Sequence, residues 1–204
     1  MIRTALEFIK KELDTYVAAR QNDPANYAPG NIVNINALIS PNGNINLDGN
    51  AHITVMVAGI EEEKREGKRP YIVPSDHNTF LKRNPPVEIN LFILFVAHSS
   101  DYPTALRDLS DIIGFFQSNV VFDVQKYPGL NTSVTDPEAK PWQLIDRLTF
   151  RIHNFSFEQQ NNLWAMFGGK YMPSIVYKMN LLTAFDTKSM SPTPAITEVG
   201  VLEN

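Results

Sequence analysis

Pro85-Pro86-Val87-Glu88-Ile89-Asn90-Leu91-Phe92-Ile93-Leu94-Phe95-Val96-Ala97 is the stretch whose reading decides the fold. Residues 87–97 are a near-continuous apolar run rich in β-branched and aromatic side chains, bounded by prolines, which is the pattern of a strand buried on both faces. It is expected at the centre of the sheet. His98-Ser99-Ser100-Asp101-Tyr102-Pro103 follows at once, and residues 103–118 then read as a helix with Leu106, Leu109, Ile112, Ile113 and Phe116 on one face. Strand and helix should pack as one unit.

Upstream, Ile2, Ala5, Leu6, Ile9, Leu13, Tyr16 and Val17 form the apolar stripe of a helix over residues 2–20, ended by Asn22-Asp23-Pro24. Residues 32–39 place Val33, Ile35, Ala37 and Ile39 on one side, as a half-buried strand does, and residues 52–60 alternate in the same way. Between them, Pro41-Asn42-Gly43-Asn44 and Asp48-Gly49-Asn50 are turn signals, because Asn-Gly readily supplies positive φ. An antiparallel hairpin is the simplest reading of this pair.

Residues 61–86 read as a projecting arm carrying Glu61, Glu62, Glu63, Lys64, Arg65, Lys68, Arg69, Lys82 and Arg83. A connection of that length is either a solvated loop of mixed charge or an ordered subunit contact. Downstream, residues 120–125 are a short strand with Val120, Phe122 and Val124 alternating against Asp123, and residues 148–154 alternate through Leu148, Phe150 and Ile152. Ser156-Phe157-Glu158-Gln159 fits a capping box opening a helix that Gly168-Gly169 stops near Phe167. Residues 175–185 form a further strand, with Ile175, Tyr177, Met179 and Leu181 on one face, expected to close the sheet.

The chain is thus expected as one α/β domain over residues 1–185 and an extended tail over residues 186–204. The tail holds Ile196, Val199, Val201 and Leu202, which are either loose or able to add a strand to a neighbouring subunit's sheet edge.

Composition narrows the function classes. The 204 residues carry 18 basic and 22 acidic side chains, a net charge of −4, which gives no electrostatic footprint for nucleic acid. No cysteine is present, so disulfide, thiolate and iron–sulfur chemistry are excluded. The first twenty residues lack the apolar centre of an export signal, and the run 91–97 is far short of a membrane span. Neither membrane insertion nor a nucleic-acid partner is expected, and the cytoplasm is a compatible place of folding.

No catalytic constellation stands out. His52, His77, His98 and His153 have no metal-ligand spacing. Asp76-His77 and His98-Ser99-Ser100-Asp101 hold the letters of acid–base or nucleophilic chemistry but lack a nucleophile elbow, and Ser and Asp ahead of a helix are ordinary caps. Gly168-Gly169-Lys170 follows a helix rather than preceding one, so it is no phosphate loop. No cofactor and no enzymatic activity are expected.

Two segments together carry a resemblance. Residues 90–97 with residues 102–122, and then Asn162-Leu163-Trp164-Ala165-Met166-Phe167-Gly168-Gly169-Lys170-Tyr171-Met172-Pro173-Ser174-Ile175-Val176-Tyr177-Lys178, are similar to the tail-terminator (cap) proteins of extracellular contractile injection systems. The helix with a tryptophan, the small-residue stop and the Pro/Ser-x-x-Tyr strand recur there in this order. Asn180 departs from the pattern, where many relatives hold an arginine, and some relatives carry a further C-terminal domain for which 204 residues leave no room.

The resemblance implies a fold of the α/β (α+β) class, with a single mixed, mainly antiparallel sheet packed with helices. It also implies a homo-hexameric ring that caps the inner tube and sheath, partnered by the tube and sheath proteins. Such a cap is assembled in the cytoplasm and then belongs to a particle that is released or anchored. The expected contacts are the Asn42-Gly43 tip, the charged arm and the apolar tail. An assembly adaptor or chaperone that leaves the finished particle, and a small nucleotide-binding domain, are the alternative readings.

Overall fold

The computed structural model describes residues 1–63, 71–75, 79–83, 88–99, 101–168, 170–182 and 193–194. The N-terminal stripe forms α1 (Ile2–Gln21), which buries Ala5, Leu6, Phe8, Ile9, Leu13 and Val17. It ends at Asn22 in the left-handed conformation, with φ 49°, whose amide returns to the Ala18 carbonyl. Asp14 is buried within this helix. Its carboxylate accepts from the amides of Ile32 at 2.9 Å and Val33 at 3.0 Å, and so fixes where the first strand begins.

β1 (Val33–Ile35) pairs with β2 (Ile53–Glu62) in parallel, from Val33 opposite Ile53 to Ile35 opposite Val55. This corrects the antiparallel hairpin expected there. The Asn42-Gly43 turn, with Gly43 at φ +79°, closes only a small local hairpin in which Ile39 bridges Ile45. The reversal is therefore completed before β2 starts. The His52 and Ile53 amides both donate to the Ile32 carbonyl, so the chain re-enters beside the beginning of β1 and runs the same way.

The expected arm is partly regular: β3 (Tyr71–Ser75) and β4 (Thr79–Arg83) form an antiparallel hairpin. β5 (Glu88–Ala97) follows, and α2 (Tyr102–Ser118) begins at Asp101, whose side chain accepts from the Thr104 amide at 2.9 Å. β6 (Val121–Asp123), β7 (Arg147–Ile152), α3 (Phe157–Met166) and β8 (Ser174–Leu182) complete the main sheet. β9 (Thr193–Pro194) pairs with β4, making a second sheet of three strands.

The six-stranded sheet has the order β1-β2-β5-β8-β7-β6, antiparallel except at β1–β2. β5 is interior and buries Leu91, Ile93, Leu94, Phe95, Val96 and Ala97, as expected of the decisive run. β8 does not close the sheet; it lies between β5 and β7. Burial of Val176 on one face and of Tyr177, Met179 and Leu181 on the other explains this interior place. The edges belong to the three-residue strands β1 and β6.

One sheet face packs on α1 and α2 through a cluster of aromatic rings that includes Phe8, Phe95, Phe115, Phe116, Phe122 and Phe150. α2 meets it with Ala105, Ile112, Phe115 and Phe116, while Leu106 and Ile113, expected in the core, are exposed. The helix is rotated because Asp108 and Asp111 also point inward, each to polar partners on other elements. α3 covers half of the opposite face, where Trp164 packs with Leu38, Leu94, Val96 and Val176. The expected capping box is present, with Ser156 accepting from the Gln159 amide and Gln159 accepting from the Ser156 amide.

Candidate functional site

The half of the sheet that α3 leaves uncovered is polar. Alternation along paired strands brings Asn90 of β5, Asn180 of β8 and Thr149 of β7 into one row, since Asn90 is opposite Asn180 and Asn180 opposite Thr149. A bulge between Val57 and Gly59 shifts the β2 register, so that Glu61 stands opposite Asn90. The result is a cleft of about 560 Å³ lined by Glu63, Glu88, Asn90, Arg147, Thr149, Arg151, Lys178 and Asn180. Its floor is held by hydrogen bonds. The Asn180 amide donates to Asn90 at 3.0 Å, the buried Asn90 amide donates to Glu63, and Lys178 lies 3.2 Å from Glu61 and 4.0 Å from Glu63.

A second polar cluster sits where β5 hands over to α2. Asp108, fully buried, accepts from the Tyr27 hydroxyl at 2.7 Å and from the Ser99 hydroxyl. His52 stacks on the Tyr27 ring, with Nδ1 3.0 Å from Ser99 Oγ and 3.4 Å from Asp108, and with Nε2 2.9 Å from the Asn26 carbonyl. Burial, reinforced by the bond to Asp108, pushes the Tyr27 phenol up to about 12, so it remains a donor. The Arg107 guanidinium in turn donates to the Tyr27 oxygen at 2.7 Å.

Ser, His and Asp do meet here, in an order that suits a clamp rather than a nucleophile. A serine activated by a base gives its proton to imidazole, whereas Ser99 gives its proton directly to Asp108 and His52 spends Nε2 on a backbone carbonyl. The arrangement ties the β2 start, the β5 end and α2 to the loop at Tyr27.

His98 lies beside this cluster with Nε2 2.9 Å from Thr54 Oγ1. Burial lowers its pKa, outweighing a hydrogen bond with its own backbone that raises it; His52 nearby lowers it further, against smaller opposing effects of Asp48 and Asp108. The unfolded chain therefore binds the proton at a higher pH than the native state does, and stability falls as pH drops below the ordinary histidine value of about 6.5. The urea midpoint of wild type is expected to fall more between pH 7.5 and 5.5 than that of His98→Gln. Equal falls in both proteins would refute the assignment.

The residues expected as contacts divide among several places. Asn42 and Gly43 form an exposed turn beside a cleft of about 540 Å³ that Ile45, Met166 and Lys170 also line. Glu61 and Glu62 belong to β2 rather than to an arm, and Glu63 follows that strand directly. Lys82 and Arg83 are in β4. Lys64, Arg65, Lys68, Arg69, Ile196, Val199, Val201 and Leu202 lie outside the described residues, as does His77. The sequence reading did not select Arg147, Arg151, Lys178 or Asn90 as site residues; their signal is the polar residue at every second position of strands that otherwise bury apolar ones. Among the described residues no group of three His, Asp or Glu side chains is placed to hold a metal ion, and no helix is long and apolar enough to cross a membrane.

A family model described as the Pvc16 N-terminal domain matches residues 4–198. No curated protein matches the sequence. The PVC sheath/tube terminator of an extracellular contractile injection system, solved by cryo-EM in its extended state, has a similar fold. Its TM-score is 0.54 and its identity 11%, over 95% of this chain and 62% of that one. The anti-feeding prophage cap, the AFP tube terminating cap, has a TM-score of 0.47 and 12% identity, over 73% of this chain and 48% of that one. The chain thus spans less than two thirds of the length of either.

Proposed function

The chain belongs to the Pvc16 N-terminal domain family, and from that premise we propose that it is a non-enzymatic structural cap that ends the growth of the inner tube and sheath of a contractile injection particle. The observation that carries this reading is the family match over residues 4–198. The terminator fold, shared over 95% of the chain, supports it. In this role the chain forms a ring of about six copies by heterologous contacts that close on themselves. Ending a helical polymer requires one surface complementary to the last layer and another that denies the next layer its docking site. The Asn42-Gly43 tip, the arm over residues 61–86 and the tail over residues 186–204 are the elements assigned to those contacts. The domain runs to about residue 185, with residues 186–204 as an extension.

The test is imaging of particles assembled with and without this gene, together with the mass of the purified protein by light scattering. Overlong or unstable particles in its absence, its presence at one end of finished particles, and a closed oligomer in solution are the expected results. Particles of normal length and stability without it would overturn the reading. A monomer that is missing from finished particles would assign it instead to transient assembly.

A further inference from the structure

The six-stranded sheet ends in two short edges that differ in what they offer. At β1 the Val33 amide is taken by Asp14 at 3.0 Å, the Val33 side chain is buried, and α1 lies along the strand. At β6 the outer backbone groups are unspent. The Phe150 amide donates to the Val120 carbonyl at 2.9 Å, so Val120–Phe150 and Phe122–Leu148 are the hydrogen-bonded pairs, and the N–H and C=O of Val121 between them point off the sheet. Neither group enters a hydrogen bond among the described residues. The Asp123 carbonyl also points outward and accepts from the Tyr127 amide at 2.8 Å, which marks where the free edge stops.

Apolar side chains flank these groups. Val120, Val121 and Val124 are all exposed. The charges beside them are of both signs: Asp123 accepts from the Lys126 amide at 2.8 Å, Lys126 lies over the Tyr127 ring at 5.2 Å, and Arg147 stands opposite Asp123. Backbone and apolar surface, rather than a charge, therefore decide what fits. An exposed β-branched edge pairs with an extended chain unless something covers it, and such a chain binds through main-chain hydrogen bonds.

The chain itself supplies such a segment. β4 leads back into β5 and so runs toward the main sheet, whereas β9 is antiparallel to β4 at Thr79 and Phe80, beside the tip of the β3–β4 hairpin. The chain at Pro194 is thus heading away from its own main sheet. Ten residues follow, Ala195-Ile196-Thr197-Glu198-Val199-Gly200-Val201-Leu202-Glu203-Asn204. Extended, they reach about 33 Å. Alternation groups Thr197, Val199 and Val201, β-branched residues that suit a sheet edge. We infer that residues 195–204 of one copy add a strand to the β6 edge of the next, pairing with the N–H and C=O of Val121. Each copy gives a tail and receives one, so the contact is heterologous and can close into a ring. The inference rests on the ring of the cap reading and names one of its contacts.

The chain has no cysteine, so introduced cysteines report the pairing directly. Full chains carrying Val121→Cys are co-expressed with full chains carrying Thr197→Cys, Val199→Cys or Val201→Cys, and disulfides are formed by mild oxidation. A cross-link between the two different chains is expected at one or more of the tail positions. Light scattering should show a closed oligomer for wild type, and a single copy for a chain ended at Pro194 and for Val121→Pro. The proline removes an outward N–H that β7 does not use, which an edge strand accommodates, and an unchanged far-UV circular dichroism spectrum separates lost exchange from lost folding. An oligomer that survives both changes without any cross-link would overturn the exchange and leave the cap reading standing. Val121→Cys chains linked only to one another would identify pairing of two β6 edges and overturn it as well. A wild-type chain that stays monomeric and uncross-linked would also overturn the exchange, while its presence at one end of finished particles would still uphold the cap.

Discussion

Asp108→Ala is expected to remove about 3 kcal/mol or more of stability, because each donor left buried without an acceptor costs about 1–3 kcal/mol. The carboxylate takes the hydroxyl protons of Tyr27 and Ser99 and stands 3.4 Å from His52 Nδ1, and Asp108 is wholly buried. Truncation strands the Tyr27 hydroxyl, leaves Ser99 only His52 Nδ1, 3.0 Å away, to turn to, and opens a small void on the inner face of α2. With m near 1–3 kcal/mol/M, the urea midpoint should fall by at least about 1 M. Asp108→Asn distinguishes lost bonding from lost volume. It keeps an oxygen for Tyr27 but turns an amide group toward Ser99, whose hydroxyl can rotate to accept, so the cost should be about 1–2 kcal/mol. A loss below about 1 kcal/mol for the alanine variant would show that water replaces the carboxylate and that the cluster does not clamp the junction.

This cluster also marks where sequence reading stops. The features legible in the chain are those decided within a few residues: the apolar run that became β5, the Asn42-Gly43 turn, the Ser156-Gln159 box and the Gly168 stop, which has φ +83°. Each is set by local sterics or local hydrogen bonds. The inward face of α2 is different. Hydrophobicity alone chooses Leu106 and Ile113, yet the helix turns Ala105, Asp108 and Asp111 inward, because Tyr27, Ser99, Arg20 and Gln21 offer partners there. Three of those four partners come from the first 27 residues, about eighty to ninety positions away, and no periodicity within the helix encodes them.

Strand direction and the polar cleft were hidden for the same reason. That β2 runs parallel to β1 follows from a reversal completed inside residues 36–50, and alternation reads identically in either direction. Arg147, Arg151, Lys178 and Glu61 become neighbours only once β7, β8 and β5 are in register and the Val57/Gly59 bulge has rotated the end of β2. Asn90 within an apolar strand and Asn180 within another were the local traces of that surface. Its partners could not be assigned without the pairing.

Phe122→Ala is expected to cost about 3–5 kcal/mol, the range for deleting a buried ring. Phe122 is the one fully buried side chain of β6, a three-residue edge strand whose Val121 is substantially exposed. Its ring meets Phe8 at 5.6 Å, Tyr127 at 4.9 Å, Phe115 at 5.8 Å and Phe150 at 5.7 Å, which joins both helices and β7 to the sheet edge. A short edge strand cannot hold its place by ladder bonds alone, so loss of the ring should free the segment as well as weaken the whole. Hydrogen exchange at the Phe122 amide and through the turn that contains Leu130 should then accelerate more than exchange in β5. Phe122→Leu, which keeps most of the volume, should cost about 1–2 kcal/mol and leave that local contrast small. A uniform acceleration across β5 and β6 in the alanine variant would mean that the edge is secured by the rest of the aromatic cluster, and an unchanged urea midpoint would show that the cluster repacks around the void.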